Sequence, residues 1–146
     1  MTGECISIEE TLQKQGVYVS TTAGVSMYPM LRDRRDTIVI RPCQERLKKY
    51  DVPLYRRGEK YVLHRIIAVL PDGYLIRGDN CIAKEHVKEE LVIGVLDGFF
   101  RGERRVNMQG AGYRLYVRIW CAVFPLRLIA NKIRAIANKI KSSRKS

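Results

Sequence analysis

Three residues of this 146-residue chain have the types from which a hydrolytic site can be built: Ser26, His64 and Asp79, in that order. A serine hydroxyl is a poor nucleophile near neutral pH and needs a base within hydrogen-bond reach. His64 can accept the proton of Ser26 and later pass it to a leaving amine. Asp79 can hold the imidazole in one tautomer and stabilise its cation. The residue types therefore predict nucleophilic catalysis, with Asp36 and Glu85 as alternative carboxylates to Asp79.

Each of these residues also has an ordinary structural explanation. Ser26 lies in the segment GVSMYP (residues 24–29), whose composition is typical of a turn. His64 suits a half-buried strand, and Asp79 suits a tight turn in which its side chain bonds its own backbone. Gly24 removes a side chain where the backbone must approach a substrate. The backbone N–H groups of Gly24 and Ser26 are therefore the candidate oxyanion donors.

The length of the chain and its 46% hydrophobic residues predict one folded domain and exclude wholesale disorder. We expect a β-domain over residues 1–112, opened by a short helical turn at 7–15, and a basic helical tail over 113–146. Short apolar runs separated by turns about every ten residues favour a mainly β fold with a single antiparallel β-domain. The predicted strands cover residues 17–19, 37–40, 52–55, 61–70, 74–77 and 91–96, and Pro53 makes 52–55 an edge strand.

The tail carries most of the unusual charge of this chain. The net charge is +12, and residues 113–146 contain nine Lys and Arg and no acidic residue. The spacing of the large aliphatic residues predicts a basic amphipathic helix through Leu126, Ile129, Ile133, Ile136 and Ile140. Three partners stay open for its apolar face: the β-domain, an anionic membrane surface, or a second copy of the chain.

The cysteines are scattered and predict free thiols, with no metal and no cofactor. Cys5, Cys43, Cys81 and Cys121 form no Cys-x-x-Cys pair and have no histidine at metal-ligand spacing. The acidic first 15 residues do not have the pattern of an export signal, and no segment reaches the roughly 18 to 20 apolar residues of a bilayer span. We therefore expect a membrane-associated or cytoplasmic protein.

Five short motifs together resemble the successive boxes of the signal peptidase I and LexA-like serine peptidases. They are GVSMYP (24–29), RDTIVI (35–40), LHRI (63–66), GDN (78–80) and IGV (93–95). The resemblance covers roughly residues 17–96. It implies a mostly β fold with a peptide groove, Ser26 as the nucleophile, and hydrolysis of an extended leader or signal-like peptide after small side chains. Strand addition is the expected mode of peptide capture.

The departures from that family are informative. Bacterial signal peptidases and LexA-like repressors use a lysine base, whereas His64 resembles the base of the archaeal and endoplasmic-reticulum type. A histidine base usually has an orienting carboxylate, which is the role expected of Asp79. Membrane members carry a transmembrane helix before the serine, where this chain has a short polar segment. Any anchoring is therefore expected from the C-terminal helix.

Two other function classes also fit the residues. A catalytically inactive relative would keep the groove as a peptide-binding module. A nucleic-acid binder would use the basic tail, although no reading motif is present. A self-cleaving repressor is set aside, because about 23 residues before the serine motif cannot supply a helix-turn-helix module.

Overall fold

The computed structural model describes residues 7–145, which form two compact units that meet in the sequence at Gln109 and Gly110. The first unit contains helix α1 (Ile8–Gln15) and is otherwise mainly antiparallel β. Its strands are β1 (Tyr18–Thr21), β2 (Asp36–Arg41), β3 (Pro53–Arg57), β4 (Lys60–Leu63), β5 (Arg65–Leu70), β6 (Gly73–Arg77), β7 (Glu85–Lys88), β8 (Val92–Arg101) and β9 (Arg104–Val106), with a short 3-10 turn at Glu89–Leu91.

Helix α1 begins and ends where the sequence predicts. The Ser7 hydroxyl accepts the Glu10 N–H, and the Glu10 carboxylate accepts the Ser7 N–H, which is the reciprocal pair of a capping box. Gly16 ends the helix with φ 70°, a left-handed conformation that glycine adopts without a side-chain clash. The helical turn predicted at residues 7–15 is confirmed.

The larger sheet has the strand order β1-β2-β8-β3-β4 and curls into a half-barrel, with β9 also paired to β8. A smaller sheet has the order β5-β6-β7. Ile38, Val39 and Ile40 of β2 are all buried, as a continuous β-branched run predicts for a strand covered on both faces. The outer strands of the larger sheet are β1 and β4.

The single strand predicted at residues 61–70 is wrong in one respect that matters for the site. The structure divides this stretch into β4, which pairs with β3, and β5, which pairs with β6 in the other sheet. His64 is the residue between them. Apolar content alone does not reveal the break, because both halves have the composition of a strand.

The edge position predicted for residues 52–55 is also wrong. Strand β3 lies inside the larger sheet, between β8 and β4. Pro53 is its first residue, a position at which the missing N–H does not interrupt the ladder. The sequence does not predict strand β7. Its first and last residues, Glu85 and Lys88, are charged, and its one buried apolar residue is Val87.

One core cluster joins β3 of the larger sheet to the smaller sheet. Its fully or almost fully buried members come from β3, from the smaller sheet and from the loop before β3, and they are Leu47, Tyr55, Ile66, Tyr74, Ile76 and Val87. Leu47 also donates its backbone N–H to the Tyr74 hydroxyl at 3.1 Å. This packing fixes the junction at His64 against β3.

The second unit consists of two helices, α2 (Ala111–Ala122) and α3 (Phe124–Ser143). The predicted C-terminal amphipathic helix is therefore confirmed, with a break at Val123. The Arg127 guanidinium lies 3.9 Å from the centroid of the Trp120 ring, across the junction of the two helices. Within residues 7–145, no helix combines the length and the apolar content that a membrane span requires.

We expect Gly73→Ala to destabilise the protein by about 1–3 kcal/mol, the usual cost of overpacking. A Cβ on Gly73 would lie 2.2 Å from the Val87 carbonyl oxygen, so β6 and β7 would have to separate. Urea unfolding measures the loss. Gly98→Ala is the control, since its Cβ would meet only the mobile end of Arg105, at 3.3 Å. Equal midpoints for both variants would contradict the prediction.

Candidate active site

Ser26 is half-buried in the loop between β1 and β2, and the base of this loop is closed by hydrogen bonds. The Thr22 hydroxyl donates to the Arg32 carbonyl at 2.6 Å, and the Thr22 N–H donates to the Asp36 carbonyl at 2.9 Å. The Asp36 carboxylate is fully buried and accepts two bonds from the Arg32 guanidinium, at 3.2 and 2.9 Å. Asp36 therefore stabilises the serine loop and is not an orienting group for His64.

The two candidate oxyanion donors differ in their surroundings. Gly24 adopts φ 91°, which favours glycine, and its N–H donates to the Asp33 carboxylate at 2.8 Å. This bond shapes the loop and occupies the Gly24 donor. The Ser26 N–H has no acceptor within residues 7–145. The Ser26 N–H is therefore the donor that a substrate oxygen could use.

The turn at residues 78–80 packs directly on the serine loop. The Asn80 N–H donates to the Ser26 carbonyl at 2.8 Å, and the Asn80 side chain donates to the Val25 carbonyl at 3.2 Å. A Cβ on Gly78 would lie 2.7 Å from the Ser26 carbonyl oxygen and 3.1 Å from the His64 Cδ2 atom. Because Gly78 has no side chain, the Ser26 carbonyl oxygen and the His64 Cδ2 atom can both lie close to its Cα atom.

The other side of the His64 ring is held by Tyr55. His64 is 8% exposed, and its Nδ1 lies 3.3 Å from the Tyr55 hydroxyl oxygen. The Tyr55 hydroxyl donates its proton to the Glu85 carboxylate at 2.9 Å. A hydroxyl has one proton, so towards His64 the Tyr55 oxygen can only accept. This assigns the proton of neutral His64 to Nδ1 and leaves Nε2 as the free base.

Charges near His64 set the protonation states of this chain of groups. Arg57 binds Glu85 through its Nε at 3.1 Å and through a second, shorter contact, and these hydrogen bonds hold the pKa of Glu85 below its usual value. Burial, followed by the bond to Glu85, raises the pKa of Tyr55, which stays protonated. Burial and then the charge of Arg57 lower the pKa of His64, against smaller opposing effects of Glu85 and Asp79. Neutral His64 is therefore favoured.

Asp79 is bound by the residue that follows His64. Its two carboxylate oxygens accept from Arg65 Nε at 2.7 Å and from Arg65 Nη2 at 2.8 Å, and the two side chains are only 2% and 1% exposed. Arg65 also donates to the Tyr50 carbonyl at 3.0 Å. The Asp79 carboxylate is thus bound by Arg65. Its negative charge raises the pKa of His64, but the group that lies at His64 Nδ1 is the Tyr55 hydroxyl.

Ser26 and His64 line one cleft of about 480 Å³. Both outer strands of the larger sheet contribute to its walls, through Tyr18, Ser20 and Thr21 of β1 and through Tyr61, Val62 and Leu63 of β4. Asp79 is not among the residues that line it. The cleft therefore joins the nucleophile and the base to two strand edges.

Three further residues of the site were not identified from the sequence: Tyr55, Arg57 and Gly78. Tyr55 and Arg57 belong to β3, and a tyrosine or an arginine in a strand gives no local sign of an effect on a histidine. Gly78 belongs to the GDN motif, which does not reveal the close approach at its Cα atom. Glu85 is one of the alternative carboxylates named from the sequence, and the hydroxyl of Tyr55 links it to His64. The remaining histidine, His86, is exposed and lies 3.1 Å from Asp72.

The prediction of thiols outside any disulfide is confirmed for Cys43, Cys81 and Cys121, while Cys5 lies outside the described residues. Cys81 lines the cleft, and its Sγ is 3.9 Å from the Ser26 carbonyl oxygen.

No protein-family model and no curated protein sequence matches this chain. The resemblance to the signal peptidase I and LexA-like peptidases therefore depends on short motifs alone. Function is therefore inferred from the side chains around the cleft.

We expect Asp79→Ala to destabilise the protein by about 3–5 kcal/mol, because it leaves the buried Arg65 cation without its carboxylate. Urea unfolding monitored by circular dichroism measures this loss. Asp72→Ala is the matched control, since the Asp72 side chain is 65% exposed and its removal should cost less than about 1 kcal/mol. Similar unfolding midpoints for the two variants would show that the buried pair is not a major source of stability.

Proposed function

We propose that this chain is a serine endopeptidase resembling signal peptidase, with Ser26 as the nucleophile and His64 as the general base. The observation that carries the proposal is that Ser26 and His64 line the same cleft while Tyr55 holds His64 Nδ1, so that Nε2 is the free base. An ordinary strand histidine would need no such arrangement. The expected reaction is hydrolysis of a peptide bond in a leader or signal-like peptide.

The chemistry follows from these positions. The Ser26 Oγ attacks the carbonyl carbon of the scissile bond, and His64 Nε2 takes the hydroxyl proton. The Ser26 N–H donates to the oxyanion that forms. His64 then gives its proton to the leaving amine as the C–N bond breaks, which leaves an acyl ester on Ser26. Water, deprotonated by His64, attacks this ester. As the bond between the acyl carbon and the Ser26 Oγ breaks, His64 returns the proton to Oγ, which releases the acid product and the free serine.

In this proposal Tyr55 and Glu85 are positioning residues for His64. The Nδ1–H of His64 donates to the Tyr55 oxygen, and the Tyr55 hydroxyl donates to Glu85, whose charge favours the imidazolium that forms during each step. Asp79 adds a second negative charge and fixes Arg65 beside His64. The role expected of Asp79 is thus divided between two carboxylates.

The walls of the cleft support an extended peptide as the substrate. Within the described part of the chain, strands β1 and β4 each pair with a strand on one side only, so their outer edges offer backbone donors and acceptors. A peptide in β conformation can add to such an edge and present its carbonyl to Ser26. Ala23 and Gly24 lie in the wall next to Ser26, and their small size leaves room for the backbone of a peptide to approach the hydroxyl.

The proposal is tested by incubating the purified chain with a pooled peptide library and with a serine-reactive phosphonate probe. We expect Ser26→Ala and His64→Ala each to lower cleavage by about 10⁴-fold or more, the scale of losing one member of a catalytic unit. The probe should label the parent chain at Ser26. Ser142→Ala and His86→Ala are the matched controls, because both residues are exposed and neither is among the residues that line the cleft.

Two outcomes would contradict the proposal. Unchanged cleavage in Ser26→Ala would show that the activity belongs to a contaminant or to another residue. Peptide binding without cleavage or labelling by the parent chain would indicate an inactive relative that uses the cleft as a binding module.

The dependence of kcat/KM on pH tests the environment of His64. Only neutral His64 can act as the base, and burial together with the charge of Arg57 lowers its pKa. We therefore expect kcat/KM to fall on the acid side with an apparent pKa below about 6.5, the ordinary value for histidine. A limb at or above that value would contradict this assignment.

Glu85→Gln should move this acid limb to still lower pH, because it removes a negative charge that raises the pKa of His64. Tyr55→Phe should lower kcat by about 10- to 100-fold through misorientation of the ring. Glu89→Gln is the charge-matched control, since Glu89 is half-exposed and pairs with Arg46. If Glu89→Gln moves the limb as far as Glu85→Gln, the effect is one of net charge and not of the Tyr55 link.

A further inference from the structure

The longest helix of the protein, α3, has an apolar stripe that stays exposed. Five of its large aliphatic side chains are between 52% and 65% exposed, and they are Leu126, Ile129, Ile133, Ile136 and Ile140. No residue of α3 is buried. Five aligned aliphatic side chains form a continuous apolar surface, and such surfaces mark a site of interaction.

The cations of α3 flank this stripe. At 3.6 residues per turn, Lys132 and Lys139 lie along one side of it, and Arg134 and Lys141 lie along the other. Asn131 and Asn138 lie on the opposite face. Long basic side chains at the borders of an apolar face can reach from that face to the phosphate level of a bilayer.

We propose that α3 binds in the plane of an anionic lipid bilayer, with its isoleucine stripe between the acyl chains and its four flanking cations on lipid phosphates. The absence of acidic residues from 113 to 146 makes the whole surface complementary to anionic headgroups. Because no helix within residues 7–145 could span a membrane, the helix lies on the bilayer and does not cross it. This inference is independent of any catalytic activity.

A second copy of the chain fits this face less well. Two α3 helices would bring ten cations together, and the sequence offers no carboxylate from 113 to 146 to pair with them. The seven-residue period IANKIRA is repeated only once, as IANKIKS, whereas a coiled coil needs about three to four heptads. A nucleic acid would use the cations but leave the isoleucines in water.

The test is co-sedimentation of the full chain with large vesicles of phosphatidylcholine alone and of phosphatidylcholine with 30% phosphatidylglycerol (about 7:3). We expect binding to the anionic vesicles, weaker binding to neutral ones, and a loss of roughly fivefold in affinity for each flanking cation replaced by Gln. Ser26→Ala should bind like the parent chain, so failure of the peptidase proposal and failure of this one are distinguishable.

The decisive comparison is between two double variants that change the charge equally. Ile133→Asp with Ile136→Asp alters the stripe, and Asn131→Asp with Asn138→Asp alters the opposite face. The first pair should bind anionic vesicles more weakly than the second by on the order of 100-fold, because only the first removes apolar contacts. Far-UV circular dichroism of both variants with and without vesicles checks that the helix is comparable.

Three results would overturn the proposal. The first is no sedimentation of the parent chain with anionic vesicles. The second is equal binding of the two double variants, which would indicate charge attraction alone. The third is a dimer of the parent chain in sedimentation velocity that is absent in the Ile133→Asp, Ile136→Asp variant, together with no binding of the parent chain to vesicles. The last result would assign the stripe to a second copy.

Discussion

The buried ion pair between Arg65 and Asp79 is the interaction on which the site depends. Arg65 follows His64 and begins β5, while Asp79 lies in the turn whose Asn80 holds the Ser26 carbonyl. Removing two charges from water costs several kcal/mol for each ion, and only close, bidentate geometry offsets this cost. One contact therefore couples the start of β5, next to the base, to the turn that supports the nucleophile. A structure that lost this pair would lose the relation between Ser26 and His64 as well.

Around this pair, the charges near His64 oppose each other. Burial and Arg57 favour the neutral ring, whereas Glu85 and Asp79 favour the cation. A base that must take up a proton and release it again in each cycle works best when neither form is strongly favoured. Arg57 also binds Glu85, so the same guanidinium limits how much Glu85 can raise the pKa of His64. Titratable groups balanced in this way are a frequent property of functional sites.

Much of the fold could be predicted from the sequence, but the site could be predicted only in part. The Ser7 cap, the continuous β-branched run of β2 and the spacing of the isoleucines in α3 are local signals, and each produced the expected element. The division of residues 61–70 at His64 depends on which strands pair, and a local sequence pattern does not determine the pairing. The role of Tyr55 could not be predicted for a similar reason, because a tyrosine in a strand gives the same local signal whether or not its hydroxyl contacts a histidine. Asp79 has a strong local explanation as a turn residue, and nothing in its neighbourhood identifies Arg65 as its partner.

The open outer strands of the larger sheet have a cost of their own. Strand β1 has Val19 more than half exposed, and among residues 7–145 no strand pairs with the outer side of β1 or of β4. Backbone hydrogen bonds on such an edge do not distinguish one extended chain from another. At high protein concentration, a partly unfolded copy of the same polypeptide competes for that edge. The feature that would let the protein capture an extended peptide therefore also makes it prone to associate with itself.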